Sequence, residues 1–317
     1  MKLLTDMIAE RFLNKLGTES FNERINIAEK YIKQWELSEI EFKSELSMNS
    51  LIFYGVSKRY GKVILKILID YHGVDNEILA LKLFQGENFC KLYAYSLDDK
   101  VYLMERIVPA HTLYESAPRN ERIQIAGEIF QGLHKAVLPD GTFPAYTEWL
   151  EEGKEGIKNR EDCEELYPYL DSAERMLADI CKMYSRNLLL HGDLHHENIL
   201  KNEHGGYTVI DPKGVTGDPV FDLSRFILDE FRDDLTAEPE EAVVDFVEKL
   251  GDSVGIPCEI LLRCLFIETV IWLFREELAN GESLEECRQL ITNMKAAYAF
   301  ANSMKEEYVG DNIEGKE

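Results

Sequence analysis

Three things are scarce in this chain of 317 residues: paired cysteines, long apolar runs and positive charge. The six cysteines are scattered and form no C-x-x-C pair, which is typical of a reduced cytoplasmic protein. The most apolar segment, residues 260–274, is interrupted by Arg263 and Glu268, so it falls short of the roughly 18 apolar residues of a membrane span. Charged residues at positions 6, 10 and 11 also interrupt the first apolar stretch. We therefore expect neither a signal peptide nor a membrane partner.

The charge balance is acidic, with 35 Lys and Arg against 59 Asp and Glu, a net charge of −24. We do not expect nucleic acid as a partner, because binding it requires cations that neutralise phosphates. An acidic surface favours solubility and would also attract a cationic small molecule. We expect a monomer or a weak dimer.

One dense motif stands out in the second half of the chain. Residues 191–198 read H-G-D-L-H-H-E-N, and residues 209–214 read V-I-D-P-K-G. The spacing matches the kinase pattern H-x-D-L-x-x-x-N followed by an Asp on a strand. In that pattern Asp193 orients an attacking hydroxyl and accepts its proton, while Asn198 and Asp211 hold Mg²⁺ against the phosphates of ATP. The alternative is that the aspartates only cap turns.

The sequence departs from the protein-kinase pattern at several positions, and these departures bear on which class of kinase is expected. Gly192 stands where protein kinases carry an Arg that reads a phosphate on the activation loop, and Asp211 is followed by Pro-Lys-Gly rather than Phe-Gly. No A-P-E segment follows. These features favour a small-molecule kinase over a protein kinase.

Candidate nucleotide-binding residues lie earlier in the chain. Lys66 is a charge in the middle of an apolar strand, which is costly unless it is paired. Glu77 on the next helix and a nucleotide phosphate would both satisfy it; the alternative is a lysine that projects to solvent. The turn with Ser47, Asn49 and Ser50 lacks G-x-G-x-x-G, but its amides and hydroxyls could still contact phosphates.

The hydrophobic patterns predict a bilobal α+β fold. Residues 1–105 are expected to form a small N-terminal antiparallel-sheet lobe, and residues 106–317 a larger, mainly helical C-terminal lobe, with ATP in the crevice between them. Two helices are expected in the first 35 residues, the second opened by a capping box at residues 20–23. The further predicted elements are a hairpin at 51–56 and 63–69, a helix at 75–84, strands at 90–95 and 101–105, and short strands near 198–200 and 207–210.

The histidine-rich segment has two interpretations. His191, His195, His196 and Glu197 could form a zinc site, but the local pattern lacks a second group of ligands at metal spacing. We favour His191 as a hydrogen-bonding brace of the loop. His195 is a candidate for contact with the acceptor or the phosphates.

The quoted motifs resemble those of the aminoglycoside phosphotransferase superfamily, which has the protein-kinase-like fold. H-G-D-L-H-H-E-N followed by I-D-P-K-G-V-x-G-D-P-x-F-D-L looks most like the streptomycin and hydroxyurea phosphotransferase branch. The resemblance runs from about Leu46 to Phe226. It implies ATP and Mg²⁺ as cofactors, with Glu105 and Ile107 meeting adenine. Pro-Ala-His-Thr-Leu at 109–113 departs from the family's P-G-x-S-L by a lost glycine, which affects local loop geometry.

Acidic and aromatic residues of the helical lobe are candidates for binding the acceptor. We expect the acceptor to be a small-molecule hydroxyl compound, and carboxylates and aromatic faces suit a polycationic sugar. The alternative for each residue is a structural role, and for Asp222 we expect a helix cap that also accepts backbone amides from the catalytic loop. The acceptor candidates are His195, Asp218, Trp149, Glu268 and Trp272.

The sequence therefore predicts an ATP-dependent phosphotransferase that acts on a hydroxyl of a small molecule, with a streptomycin-like aminoglycoside favoured. The first rival is a metabolic small-molecule kinase of the choline, homoserine or thiosugar type, which would keep the same catalytic residues. The second is a catalytically silent nucleotide-binding module, which the intact motif residues disfavour.

Overall fold

The computed structural model of the protein describes residues 17–43, 50–69, 74–85, 88–136 and 141–310, with the backbone alone for Val74 and 304–310. The chain forms two compact units. The first runs to His111 and includes Leu200–Lys213, and the second comprises Thr112–Ile199 and the chain from Gly214 onward. The predicted division at residues 105 and 106 stays a prediction. The compact units assign residues 106–111 and 200–213 to the first of them.

The first unit contains a five-stranded antiparallel sheet in the order β1-β2-β3-β5-β4. Among the described residues, one helix precedes the sheet in sequence and another connects β3 to β4. The elements are α1 (Thr18–Gln34), β1 (Leu37–Phe42), β2 (Ser50–Ser57), β3 (Gly61–Leu68), α2 (Val74–Phe84), β4 (Leu92–Ser96) and β5 (Val101–Glu105).

Strands β2 and β3 form a hairpin in the middle of this sheet. It pairs without interruption from Ser50 opposite Leu68 to Ser57 opposite Gly61, where a φ of 75° suits glycine in the connecting turn. This confirms the predicted hairpin. The apolar side of α1, with Phe21, Ala28 and Tyr31, packs in one buried cluster with apolar residues of the sheet. Burial of this face stabilises α1, since polar residues cover its other side.

Two local predictions in this unit need correction. The capping box at residues 20–23 is wrong: the helix begins two residues earlier at Thr18, after Gly17 with a φ of 75°, and no side chain caps it. Strand β1 was not predicted, because a bulge between Ser38 and Glu41 disrupts the alternation that identifies strands. The first predicted helix falls within residues 1–16, outside the described residues.

A second, three-stranded sheet in the order β10-β9-β6 lies largely in the first unit. Its strands are β6 (Pro109–Thr112), β9 (Ile199–Asn202) and β10 (Tyr207–Val209). The predicted short strands near 198–200 and 207–210 are thereby confirmed. The amide of Cys90 donates to the carbonyl of Val209 at 3.0 Å, and the amide of Val209 donates to the carbonyl of Asn88 at 2.8 Å. These bonds tie residues 200–213 to the first unit.

The second unit is helical around one deeply buried helix, α9, which contacts α6, α7, α8 and α10. A small sheet in the order β11-β8-β7 adjoins residues 191–198. The elements are α3 (Leu113–Ser116), α4 (Arg119–Leu133), β7 (Lys135–Ala136), α5 (Tyr146–Ile157), α6 (Tyr167–Met183), β8 (Leu188–Leu190), β11 (Val215–Gly217), α7 (Leu223–Glu230), α8 (Glu240–Val254), α9 (Cys258–Ile271), a π-helical turn (Trp272–Glu277) and α10 (Arg288–Gly310). Among the described residues, no helix combines the length and apolarity needed to cross a bilayer.

Candidate active site

Lys66 on β3 is the centre of a buried charge cluster in the first unit. Its Nζ lies 2.7 Å from Oε1 of Glu77 on α2 and 3.0 Å from Oδ2 of Asp211, and the Lys66 side chain is 7% exposed. Tyr102 on β5 stands opposite Lys66 in the sheet and donates its hydroxyl to Glu77 Oε1 at 2.5 Å. The pairing of Lys66 with Glu77 is as predicted, and a lysine projecting to solvent is excluded.

Charge explains how this amine stays ionised. Burial alone would lower the pKa of Lys66, but the carboxylates of Asp211 and Glu77 raise it above its usual value. Asp211 follows β10 in a left-handed conformation with a φ of 54°, which aspartate tolerates better than most residues. Its side chain is 34% exposed, so one carboxylate faces both the buried amine and solvent.

Asp222 holds the start of the proposed catalytic loop, residues 191–198, through backbone hydrogen bonds. Its buried carboxylate accepts the amides of His191 at 2.8 Å and Gly192 at 2.7 Å. His134 Nε2 donates to the same group at 3.0 Å. Burial would raise the pKa of Asp222, but the hydrogen bond and charge of His134 outweigh it and lower the pKa. Asp222 therefore accepts the loop amides as predicted, whereas the predicted side-chain cap of α7 is wrong, because α7 has none.

Two further hydrogen bonds fix the loop from within. His191, fully buried, accepts the amide of Asp193 on Nδ1 at 3.1 Å, which confirms it as a brace. Asn198 donates Nδ2 to the backbone carbonyl of Asp193 at 2.9 Å. That bond uses the amide nitrogen, and an amide carbonyl oxygen such as that of Asn198 is a ligand that Mg²⁺ prefers. Gly192 has a φ of 77°, so the position that carries Arg in protein kinases here requires a residue that adopts the left-handed region.

His196 is a structural residue rather than a metal ligand. It is fully buried, with Nδ1 2.7 Å from Asp229 Oδ2 and Nε2 2.9 Å from Glu230 Oε2, and its ring stacks on Phe226. Burial disfavours the imidazolium, yet Asp229 and Glu230 raise the pKa of His196. Since both ring nitrogens are engaged by carboxylates, the zinc interpretation has no support here.

The predicted acceptor residues fall into structural and partly accessible groups. Trp149 is 5% exposed, and Glu268, 8% exposed, accepts the hydroxyl of Tyr146 at 2.7 Å. Asp218 is 3% exposed and accepts hydrogen bonds from Arg186 at 3.0 and 3.1 Å. We assign these three residues structural roles and do not carry them into the proposed acceptor site.

Two acceptor candidates retain access to solvent. Trp272 is partly exposed, although the Arg225 guanidinium lies 3.8 Å from its ring centroid. His195 is also partly exposed, with Nε2 4.0 Å from Asp193 Oδ1. Both stay predictions as acceptor contacts.

Several nucleotide contacts also stay predictions. Ser50 is 2% exposed at the start of β2, and Ile107 is 7% exposed. Glu105 at the end of β5 accepts the amide of Lys91 at 3.2 Å. Ser47 and Asn49 lie outside the described residues.

Three residues near these groups were missed. Arg225 on α7 lies 3.6 Å from Asp193 Oδ1 through its Nε and 2.9 Å from Asp233 Oδ1 through its Nη1. Tyr102 holds Glu77, as described above. The only signal available for Arg225 was a basic residue three positions after Asp222 in the F-D-L-S-R segment; nothing local marked Tyr102 or Asp233.

Comparison with solved structures defines the class of fold. Choline kinase LicA from Streptococcus pneumoniae superposes with a TM-score of 0.61 at 16% identity, covering 88% of this chain and 99% of LicA. Aminoglycoside phosphotransferase APH(4)-Ia, solved with ADP and hygromycin B, gives a TM-score of 0.59 at 13% identity, covering 87% of this chain and 97% of that one. At these identities the likeness shows the fold alone, and it confirms the α+β protein-kinase-like class.

Sequence comparison identifies the family. The family model described as aminoglycoside/hydroxyurea antibiotic resistance kinase matches residues 42–271, so the chain belongs to that family. Streptomycin 6-kinase of Streptomyces griseus is 24% identical over 152 residues, which are 46% of this chain. The chain spans about half the length of that curated relative, 48% of it. The superfamily and branch that the motifs indicated are thereby confirmed.

Proposed function

We propose that this protein is an ATP- and Mg²⁺-dependent phosphotransferase that acts on a hydroxyl of a small molecule, with a streptomycin-like aminoglycoside as the favoured acceptor. The observation that carries the proposal is the buried amine of Lys66 between the carboxylates of Glu77 and Asp211. A lysine held in this way is a fixed positive charge for nucleotide phosphates. The family match supports the same chemistry.

Each residue has a distinct part in the proposed reaction. Lys66, oriented by Glu77, binds phosphate oxygens of ATP, and Asp211 and Asn198 would supply oxygen ligands to the metal. Mg²⁺, when bound, neutralises charge that develops on the phosphates. Asp193 orients the acceptor hydroxyl and accepts its proton as the oxygen attacks phosphorus, and ADP leaves. A carboxylate of ordinary basicity suffices, because positioning and charge dominate phosphoryl transfer.

The direct test is a panel of acceptors mixed with MgATP. Streptomycin, hydroxyurea, hygromycin B, choline, ethanolamine and homoserine would each be assayed for ADP release, with transfer verified by the mass of the product. We expect the highest kcat/KM with streptomycin or a related aminoglycoside. ATP binding without turnover on any acceptor would contradict the proposal and favour the silent nucleotide-binding module.

Phosphorylation of choline or ethanolamine is the main alternative, since choline kinases share the fold. Quaternary ammonium groups are recognised by open aromatic faces. In this chain an arginine guanidinium lies over the ring of each tryptophan of the second unit. The guanidinium carbon of Arg225 is 3.8 Å from the centroid of Trp272, and that of Arg275 is 4.9 Å from the centroid of Trp149. These contacts count against a quaternary ammonium group bound on either ring.

The wider setting follows from composition. A net charge of −24 suits a cationic acceptor better than an anionic one. The six cysteines form no disulfide and match a reducing compartment, so we place the reaction, with antibiotic resistance as its consequence, in the cytoplasm.

A further inference from the structure

Arg225 is a cation close to the proposed catalytic carboxylate of Asp193, and its side chain is 14% exposed. Its Nε lies 3.6 Å from Asp193 Oδ1, and its Nη1 lies 2.9 Å from Asp233 Oδ1. Its guanidinium carbon is 3.8 Å from the centroid of Trp272. A planar guanidinium that is stacked on one side and bound at its edge has little freedom to rotate.

The position of Asp233, one of these partners, depends on an uncommon backbone conformation. Arg232 and Asp233, which follow α7, both adopt left-handed conformations, with φ of 51° and 55°. Each such residue costs on the order of 1 kcal/mol and persists only where its surroundings hold it. Asn293, fully buried, does so by donating to the Asp233 carbonyl at 2.5 Å and accepting the Leu235 amide at 3.0 Å. The result is that the Asp233 carboxylate meets Arg225.

The stacking partner is also fixed. Trp272 begins the π-helical turn Trp272–Glu277, a rare geometry that is frequent at functional sites. The indole Nε1 donates to Glu277 Oε1 at 3.1 Å. Helix α5 packs closely against this turn at Gly153, where an added Cβ would lie 3.1 Å from the Arg275 backbone nitrogen. The close approach restricts movement of the turn that carries the indole.

We infer that Arg225 is a positioning residue that holds the Asp193 carboxylate in its productive orientation, with Asp233 and Trp272 holding Arg225 in turn. The inference rests on the proposed function, in which Asp193 receives the proton of the acceptor hydroxyl. An aspartate side chain can rotate between staggered conformers, and a fixed cation beside the carboxylate reduces that freedom. The same cation offsets the repulsion between Asp193 and the neighbouring acids Asp229, Asp233 and Glu268, all of which act on Arg225.

The test replaces Arg225 with Met and with Lys and measures kcat and both KM values on the acceptor that turns over best. We expect Arg225→Met to lower kcat by roughly 30- to 100-fold, while the KM values for MgATP and acceptor change by less than about three-fold, because only orientation at the reacting atoms is lost. Arg225→Lys should recover part of the loss, and Asp233→Asn should lower kcat by a smaller factor. Guanidinium ion at non-denaturing concentration should raise the kcat of Arg225→Met but not that of wild type.

Controls separate positioning from folding. Arg288→Met, on a side chain that is 71% exposed, is the matched substitution and should leave kcat unchanged. The melting temperature of each variant shows whether it is folded at the assay temperature. A kcat for folded Arg225→Met within about three-fold of wild type would overturn the inference, as would a rise in acceptor KM at unchanged kcat. Wild-type protein that turns over no acceptor would instead overturn the proposed function, and the role of Arg225 with it.

Discussion

At the scale of single residues, the proposed site assigns separate tasks to its two aspartates. Asp193 lies in a loop braced by His191 and Asn198, whereas Asp211 lies 3.0 Å from the amine of Lys66. In the proposed reaction the first acts on the acceptor hydroxyl and the second on the metal and phosphates. Substitutions at the two positions should therefore have different kinetic signatures.

We expect Asp193→Ala to lower kcat by at least about 10²-fold while MgATP affinity changes only a few-fold, since a general base contributes to transfer rather than to nucleotide binding. Asp211→Ala should weaken MgATP binding as well, because it removes both the proposed metal ligand and a partner of Lys66. Calorimetric titration with MgATP, paired with steady-state rates, would check both. Equal and mild effects of the two substitutions would contradict the assignment.

A second residue-scale prediction concerns Tyr102. Its hydroxyl and Lys66 Nζ both donate to Glu77 Oε1, so Tyr102→Phe removes a hydrogen bond that holds the Glu77 carboxylate. Lys66 should then be less well oriented. We expect the KM for MgATP to rise about three- to ten-fold, with stability lower by roughly 1 kcal/mol. Tyr95→Phe is a matched control, since Tyr95 pairs with Tyr102 across the sheet but is 39% exposed. Indistinguishable KM values for the two variants would refute the role of Tyr102.

The sequence predicted those site residues whose partners lie within one short motif. Asp193, Asn198 and His191 fall within eight consecutive positions, and Lys66 was identifiable as a charge inside an apolar strand. Arg225, Asp233 and Tyr102 were not predicted, because their roles depend on contacts between segments that are distant in sequence. The burial of Trp149 and Glu268 was not predicted either, since sequence does not show which side of a helix packs inward.

At the scale of elements, the last residue of α7, Glu230, places a buried carboxylate at the centre of a cluster of hydrogen-bond donors. Glu230 is fully buried in its side chain and accepts hydrogen bonds from Arg119 at 2.8 Å, from Arg122 at 2.8 Å and from His196 at 2.9 Å. Burial alone would raise the pKa of Glu230, but these donors lower it to about 2. Helices α4 and α7 are thereby linked to the loop segment that contains His196.

This cluster predicts a pH dependence of stability. The folded pKa of about 2 lies below the ordinary value of 4.5, so the stabilisation is complete above pH 4.5 and is lost as pH falls towards 2. We expect Glu230→Gln to lower the free energy of unfolding by about 1 to 3 kcal/mol at pH 7, with the difference from wild type shrinking below about pH 4.5. Denaturant titrations across this range would measure it. Glu285→Gln, 75% exposed, is the control; a difference for Glu230→Gln that stays constant with pH would contradict the prediction.

Helices and strands were predicted correctly where the apolar periodicity of the sequence is regular. The hairpin of β2 and β3 and helix α2 were predicted because their apolar periodicity is uninterrupted. Strand β1 was missed through its bulge, and strands β7, β8 and β11 were missed because two or three residues carry no periodic signal. Their existence depends on pairing with distant strands.

At the scale of the whole molecule, the excess of 24 negative charges should act on the encounter with the acceptor. For a cationic aminoglycoside, kcat/KM should fall by about three-fold or more when KCl is raised from about 0.05 to 0.5 M, because salt screens the attraction. A neutral acceptor such as hydroxyurea, at saturating MgATP, controls for effects of salt on the nucleotide. The same salt dependence for both acceptors would show that charge does not guide the acceptor.

The return of residues 200–213 to the first unit has a consequence for biosynthesis. The strand that pairs through Val209 with Asn88 and Cys90 leaves the ribosome long after the five-stranded sheet has been made. The first unit therefore lacks residues 200–213 while more than eighty intervening residues are translated. A nascent chain arrested before Val209 would lack the Asp211 counter-charge of Lys66, and only release of the later segment would complete the charge cluster of the first unit.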